Sequence, residues 1–181
     1  MIHCMTAAEL LTDAFGRIQE SVDSAVEGLD ADQLAAQLDP AANPISWLIW
    51  HLSRVQDDHV AAAFGTAQVW TATSWGPRLG LPEHAREVGY GHTPAQVEAT
   101  ASAICGMPSP GKLLAEYHAA VHEQTISLVS GINDADLELV VDNQWKPPVT
   151  LGVRLVSVIS DDLQHAGQAN YVRGILLRRA S

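Results

Sequence analysis

Four long segments of the chain have apolar residues at alternating three- and four-residue steps, and no segment sustains an alternation of apolar and polar residues. The segments span about residues 7–29, 44–64, 110–131 and 151–176. Helices of about 20 residues are about 30 Å long, and each has one apolar stripe to bury. The pattern therefore predicts an all-α fold, an up-down four-helix bundle with its site in the core.

Helix-start signals precede each segment. Thr6 and Glu9 form a capping box before the first, and Asn43-Pro44 and Ser109-Pro110 supply a cap and a proline at the starts of the second and third. Thr150 opens the fourth. The apolar stripe of this fourth helix runs through Leu151, Leu155, Val158, Ile159, Asp162, Ala166, Ala169 and Leu176.

The connection between the second and third helices, residues 65–108, is long enough to have a structure of its own. It contains the glycine-rich stretch Gly89-Tyr90-Gly91-His92. The capping signal Thr93-Pro94-Ala95-Gln96 predicts a short extra helix that ends near Gly106. Connections of this length are usually functional, so we expect a crossover that acts as a lid on a single domain, residues 1–181.

Composition excludes several classes of function. The formal net charge of -11 argues against nucleic acid as a partner, because nucleic-acid binding needs clustered cations. The basic residues Arg173, Arg178 and Arg179 lie at the end of the last helix, where cations favour the helix dipole. No apolar run reaches the length of a membrane span and no signal peptide is recognised, so we expect a cytoplasmic protein. Cys4 and Cys105 match no zinc-ribbon spacing and no disulfide framework.

The fourth helix carries a carboxylate and an imidazole that could hold a metal ion. Asp161 and His165 are four residues apart, so on a helix their side chains are neighbours on one side. Both fall on the flank of the apolar stripe, whereas Asp162 falls near its centre. His51, on the flank of the second helix, is the candidate for a third ligand. The alternative is a surface carboxylate beside a partly buried histidine.

A second pair has the same spacing. His118 and His122 lie four residues apart on the third helix, and two imidazoles make a better metal site by chemistry alone. His118 also lies near the apolar stripe, which is typical of a core histidine. Spacing does not choose between the two pairs.

The chain resembles the DinB-like superfamily of four-helix metalloproteins, most closely its mycothiol-dependent maleylpyruvate isomerase-like and related uncharacterised bacterial branches. The resemblance covers almost the whole chain, including the Asn43-Pro44 helix start and the stretch Gly89-Tyr90-Gly91-His92-Thr93-Pro94. Its most informative residues are Trp47-Leu48-Ile49-Trp50-His51-Leu52 and Asp161-Asp162-Leu163-Gln164-His165-Ala166-Gly167-Gln168.

This resemblance implies that His51, Asp161 and His165 bind a divalent metal. In the superfamily the first ligand of the fourth helix is commonly histidine, and here Asp161 stands in its place. The resemblance implies that the divalent site is retained with an anionic ligand. Asp162 would replace Asp161 if the helix were rotated. Two imidazoles and one carboxylate leave an open position, as in catalytic zinc sites, and Ni, Mn and Fe are the other candidate metals.

For function, the resemblance implies thiol chemistry. Characterised members use the metal to bind a low-molecular-weight thiol, such as mycothiol, bacillithiol or glutathione, and transfer it to an electrophile. We therefore expect a metal-dependent thiol S-transferase or isomerase that acts on a small electrophile, and a homodimer, as is frequent among relatives. The alternative is a non-catalytic, stress-associated protein that binds a metal or small ligand on the same bundle.

Three further residues are candidates for catalysis or positioning. Arg154 lies on nearly the same side of the fourth helix as Asp161, where it would bind a carboxylate of the thiol or substrate, or form a surface ion pair. Asp58 or His59 would orient a ligating imidazole, or form a buried polar pair. The tryptophans would wall a pocket or fill the core: Trp47, Trp50, Trp70, Trp75 and Trp145.

Overall fold

The computed structural model describes residues 5–84 and 87–180, and Cys4 lies outside these ranges. Over the described residues the elements are, in chain order, α1 (Ala7–Val26), α2 (Ala31–Ala35), α3 (Ile45–Phe64), α4 (Val69–Ala72), α5 (Trp75–Arg78), α6 (Pro94–Cys105), α7 (Pro110–Val129), a 3₁₀ turn (Asp134–Glu138), β1 (Val140–Asp142), β2 (Val149–Thr150) and α8 (Leu151–Ala180). The two strands form an antiparallel hairpin. The predicted all-α class is confirmed.

The helix ends follow local backbone chemistry. The Thr6–Glu9 capping box is present at α1, and the one predicted at Thr93 is present at α6. α1 ends at Val26, short of the predicted boundary, and Gly28 follows it in the left-handed region with φ of +69°. Pro44 precedes α3 as its N-cap residue and does not occupy the first helical position.

The four long helices pack so that α1 and α3 each contact both α7 and α8. Ser53 of α3 lies 3.2 Å from His118 of α7, and Gln124 near the end of α7 bonds to Ala67, just after α3. These contacts show that α3 and α7 run in the same direction. The long connection between the two helices allows this arrangement, because it returns the chain to the end of the bundle where α3 begins.

α3 is the most enclosed of these helices, since the crossover covers the side that α7 and α8 leave open. Fully buried polar residues are therefore found along α3, among them His51, Arg54 and Asp57. Buried polar groups need partners inside the protein. Among the described residues, no helix is both long enough and apolar enough to cross a membrane.

Arg54 and Asp57 form a buried ion pair on α3, with Nη1 3.2 Å from Oδ2. Asp57 also accepts bonds from the backbone amides of Val69 and Trp70, both at 2.8 Å, and from the Tyr117 hydroxyl at 2.9 Å. Burial raises the pKa of Asp57, and these donors oppose the shift. The carboxylate thus attaches the start of α4 and the middle of α7 to α3.

Arg54 attaches a later part of the crossover, at Glu87. Its Nε donates to the Glu87 carbonyl at 3.1 Å, and its Nη2 donates to Gln68 at 3.0 Å. The guanidinium also lies over the Trp70 ring, 4.7 Å from the ring centroid. The crossover is therefore fixed against the side of α3, and it runs back along the helix from Asp57 towards His51.

We expect Asp57→Ala to lower the free energy of unfolding by about 3 kcal/mol, because it removes a buried carboxylate that pairs with Arg54 and accepts bonds from Val69, Trp70 and Tyr117. Urea denaturation followed by circular dichroism measures this change. Asp13→Ala is the control, since it removes an exposed ion pair with Arg17 on α1 and should leave stability nearly unchanged. Equal effects of the two substitutions would contradict the anchoring role of Asp57.

Candidate metal centre

α3 and α8 bring three potential metal ligands together. His51, Asp161 and His165 each offer one ligand atom, and these atoms all lie within 4.8 Å of one another. His51 is 3% exposed, while the side chains of Asp161 and His165 are 24% and 19% exposed. The cluster therefore has a buried side at α3 and a side that opens to solvent at α8.

Backbone carbonyls fix the tautomer of both histidines. Nδ1 of His51 bonds to the Val88 carbonyl, and Nδ1 of His165 lies 2.8 Å from the Asp161 carbonyl. A carbonyl only accepts, so each Nδ1 must carry the proton. Nε2 of each neutral ring is left with a free lone pair. This pattern, in which the second nitrogen of a ligating imidazole donates to an acceptor, is typical of metal-binding histidines.

The electrostatics of the two rings differ. Burial lowers the pKa of His51, the neighbouring His165 and His92 act in the same direction, and the Val88 bond and Asp161 oppose the shift. Burial also acts to lower the pKa of His165, but the hydrogen bonds and charge of Asp161 outweigh it and raise that pKa. His51 is thus held neutral, as a metal ligand must be, while at His165 a metal ion would compete with a proton.

The crossover shapes the buried side of the cluster. Trp47 stacks on His51 with ring centroids 4.6 Å apart and an angle of 13° between planes. Gly89 lies against both rings with φ of +93°, and a Cβ there would lie 2.9 Å from Nδ1 of His51 and 3.1 Å from Trp47. Only glycine allows the backbone to approach this closely and present the Val88 carbonyl to His51.

Tyr90 is a functional candidate that the sequence reasoning did not single out, although it lies in the glycine-rich stretch. Its ring packs edge-on against His51 with centroids 5.2 Å apart, and it remains partly exposed. Burial and the nearby charge of Asp161 raise its pKa to about 12. Its hydroxyl therefore stays protonated at neutral pH and is able to donate a hydrogen bond.

The two adjacent aspartates have different environments. The structure brings Asp161 beside the histidines and places Asp162 in the core stripe of α8, fully buried and outside the ligand cluster. Neither Asp162 oxygen has a hydrogen-bond partner among the described residues. Burial and the charge of Asp161 raise the pKa of Asp162 well above its usual value, which favours the neutral acid.

The rival pair on α7 does not form a comparable cluster. His118 is fully buried, and its Nδ1 lies 3.2 Å from the Ser53 hydroxyl, which itself donates to the Ile49 carbonyl. Burial lowers the pKa of His118 to about 3, and His122 adds to the shift. Within the described part of the chain, no third ligand joins this pair. His118 is therefore a neutral core histidine.

The supporting residues lie along one side of the site. Arg154 pairs with Asp142 at 2.8 Å, which corresponds to the ion-pair alternative. Asp58 accepts a bond from Gln68 and lies 3.5 Å from His59. The orienting role expected of Asp58 or His59 is taken by backbone carbonyls. Of the tryptophans, four are buried, Trp47, Trp50, Trp70 and Trp75, and Trp145 is exposed.

The donor set fits a divalent ion. Two neutral imidazoles and a carboxylate are the ligands of catalytic zinc sites, which keep a further position open. Oδ2 of Asp161 is buried, and its contact with Nδ1 of His165, at 3.4 Å, is longer than a well-formed hydrogen bond. His51, Asp161 and His165 would hold such an ion, and its positive charge would offset that of the largely buried carboxylate.

A helical bundle with this candidate ligand set on facing helices is the arrangement of the DinB-like family. The family model for mycothiol S-transferases matches residues 10–177, and the chain belongs to that family. A crystal structure described as the conserved protein of locus from Enterococcus faecalis superposes with a TM-score of 0.80 and 29% sequence identity, covering 94% of this chain and 96% of that one. No curated protein matches the chain.

We predict that the purified protein binds about one divalent ion per chain, and that His51→Ala and His165→Ala each abolish the binding because a ligand is lost. Elemental analysis of protein prepared without a histidine tag measures the content. His122→Ala, which removes a histidine outside the cluster, is the control and should retain the ion. Undiminished metal in the His51 and His165 variants would contradict the assignment.

We also predict that His118 makes the fold sensitive to acid. In the unfolded chain His118 is protonated below its ordinary pKa of 6.5, whereas in the folded chain it stays neutral down to about pH 3. The free energy of unfolding therefore falls as pH falls through that window. His118→Asn, which keeps a group able to bond Ser53, should flatten the plot of unfolding free energy against pH by about 1.4 kcal/mol per pH unit between those limits. Parallel plots for variant and wild type would exclude this role.

Proposed function

We propose that the protein is a metal-dependent S-transferase that attaches a low-molecular-weight thiol to a small electrophile. The observation that carries the proposal is the cluster of His51, Asp161 and His165, whose ligand atoms lie within 4.8 Å of one another on a site whose α8 side is open to solvent. Family membership supports the thiol as substrate. Zinc is the metal we favour, because the ligand set matches catalytic zinc sites.

A divalent ion at this site supplies the positive charge that deprotonates a thiol at neutral pH and so makes it nucleophilic. The chain's own residues prepare the position for that ion. The carbonyls of Val88 and Asp161 keep both Nδ1 atoms protonated, so neither ring can present the wrong nitrogen. Trp47 stacks on His51 and limits rotation of that ring. The fixed rings reduce the reorganisation needed at reaction.

Tyr90 is placed to act on the second reactant. Its raised pKa keeps the phenolic proton in place. Its ring is exposed to solvent and packs edge-on against His51. We propose that the Tyr90 hydroxyl donates a hydrogen bond to the electrophile where negative charge develops as the sulfur attacks. No side-chain nucleophile is required, because the attacking sulfur arrives with the thiol.

Zinc-loaded protein should consume mycothiol in the presence of an electrophile such as chlorodinitrobenzene, and protein stripped of metal by a chelator should not. Tyr90→Phe should lower kcat about tenfold, the effect of losing about 1.4 kcal/mol of hydrogen bonding in the transition state. Its metal content should stay unchanged, which separates this effect from loss of the ion.

The alternative, a non-catalytic protein that binds metal and small ligands, predicts another result. Zinc-loaded protein would then bind mycothiol, with no transfer to any of a panel of alkyl, aryl and unsaturated electrophiles. That outcome would overturn the transferase proposal. His122→Ala is again the control, since loss of transfer in that variant would indicate damage unrelated to the site.

A further inference from the structure

The outer face of α8, the side turned away from the bundle, has exposed apolar residues and no charged ones over most of its length. Five of the eleven large apolar residues that are well exposed in the described chain belong to α8, so these residues are concentrated on one element. Positions three or four apart lie on one side of a helix. The outer face of α8 consists of six exposed residues, Val153, Val156, Ser160, Leu163, Gly167 and Tyr171.

Within the described residues, the other long helices are more enclosed or more highly charged. The crossover covers α3, and the exposed positions of α7 include Lys112 and Glu123. The chain has a formal net charge of -11, and a high net charge keeps proteins apart. Two copies can meet at the outer face of α8 without bringing their acidic surfaces together. The exposed positions of α1, in contrast, include the charged residues Glu9, Asp13, Arg17, Glu20 and Asp23.

Charged residues of opposite sign lie at the two ends of this face. Arg178 is seven residues after Tyr171, which is two helical turns, so it extends the face at its C-terminal end. Glu138 is exposed beside the first turn of α8, because the neighbouring Leu137 packs against Gly152. The two ends are about 40 Å apart along the helix. The face is therefore acidic at one end, basic at the other and uncharged between them.

This distribution is complementary to itself when two copies are antiparallel. A two-fold axis perpendicular to α8 near Leu163 brings the acidic end of each copy beside the basic end of the other. Leu163 then lies opposite the small residues Ser160 and Gly167 of the second copy, which let the two helices approach closely. A parallel arrangement would place like charges together at both ends. The charges thus favour a second copy of this chain in the antiparallel orientation.

The size of the face suits a dimer of moderate stability. A strip about 40 Å long and about 10–12 Å wide covers roughly 400–500 Å² on each copy. Leu139 and Val140, 57% and 51% exposed, lie next to the start of α8 and add to it. The total for two copies is about 1,000 Å², near the lower limit for a specific interface, so we expect a Kd in the micromolar range.

We propose that two copies of this chain form an antiparallel dimer through the outer faces of α8, with Arg178 of each copy beside Glu138 of the other. The inference is independent of the proposed function. Asp161 and His165 lie roughly 80–120° around α8 from Val153, so the metal centres of both copies stay open to solvent. The dimer covers exposed apolar surface that would otherwise stay in contact with water.

Sedimentation equilibrium of the full chain measures the dimer Kd at concentrations up to about 200 µM. Wild type should approach the mass of two chains. Leu163→Glu should raise the Kd at least about a hundredfold, because it brings two like charges together near the two-fold axis. Leu10→Glu is the matched control, since Leu10 is also exposed, at 58%, but lies on α1, and the Kd should stay unchanged. Helical circular dichroism of both variants shows that the fold is intact.

Charge reversal tests the antiparallel orientation separately. Glu138→Arg and Arg178→Glu should each raise the Kd about three- to tenfold, since each brings like charges together at both ends of the interface. The double variant, Glu138→Arg with Arg178→Glu, should recover a Kd within about threefold of wild type, because opposite charges again face each other. Added salt should reduce the effects of the single variants.

Three outcomes would contradict this arrangement. A wild type that sediments as a monomer at the highest concentration would overturn the proposal. A dimer whose Kd is unchanged by Leu163→Glu would use another surface and would overturn it as well. A dimer that Leu163→Glu weakens, but in which the two charge reversals do not compensate each other, would overturn the antiparallel orientation. None of these outcomes depends on thiol transfer, so failure of the proposed function leaves the test intact.

Discussion

The buried ion pair of Arg54 and Asp57 holds the crossover in the position on which the site depends. Its two side chains reach the segment after α3 at Val69 and Trp70 and the segment before α6 at Glu87. A buried ion pair offsets its desolvation penalty only when its remaining hydrogen-bond donors and acceptors also have partners. Here backbone groups of the crossover are among those partners. The same contacts that satisfy the pair therefore determine where Val88 and Gly89 lie.

After Glu87, which bonds to Arg54, the crossover reaches His51, which lies one turn before Arg54 on α3. The Val88 carbonyl sets the tautomer of His51, and Gly89 makes room for it against Trp47. Metal-binding histidines are commonly oriented by carboxylates or carbonyls, and in this protein both candidate imidazoles rely on main-chain oxygen. Asp58 and His59 lie two turns further along α3, where they line a cavity together with Asp142 and Arg154.

Much of the helical framework was predictable, because local periodicity and capping act over a few residues. The stripe of α8, the capping box at Thr6 and the shared side of Asp161 and His165 follow from helix geometry. The Val88 carbonyl was not predictable, since every residue has a carbonyl and only the folded crossover selects one. Tyr90 was not predictable either, because its contact with His51 exists only once the crossover has folded against α3. The choice between the pairs on α7 and α8 required the resemblance, because burial of His118 depends on packing against α3.

The candidate ligands come from opposite parts of the chain, His51 from the second long helix and the other two from the last. No partly formed bundle that lacks α8 can hold the three atoms together, so metal binding through all three ligands would require the completed fold. An ion that binds only that state adds its binding free energy to the stability of the whole molecule. Metal occupancy would thus require that α8 has docked, and it would join α3 to α8 as a covalent crosslink does.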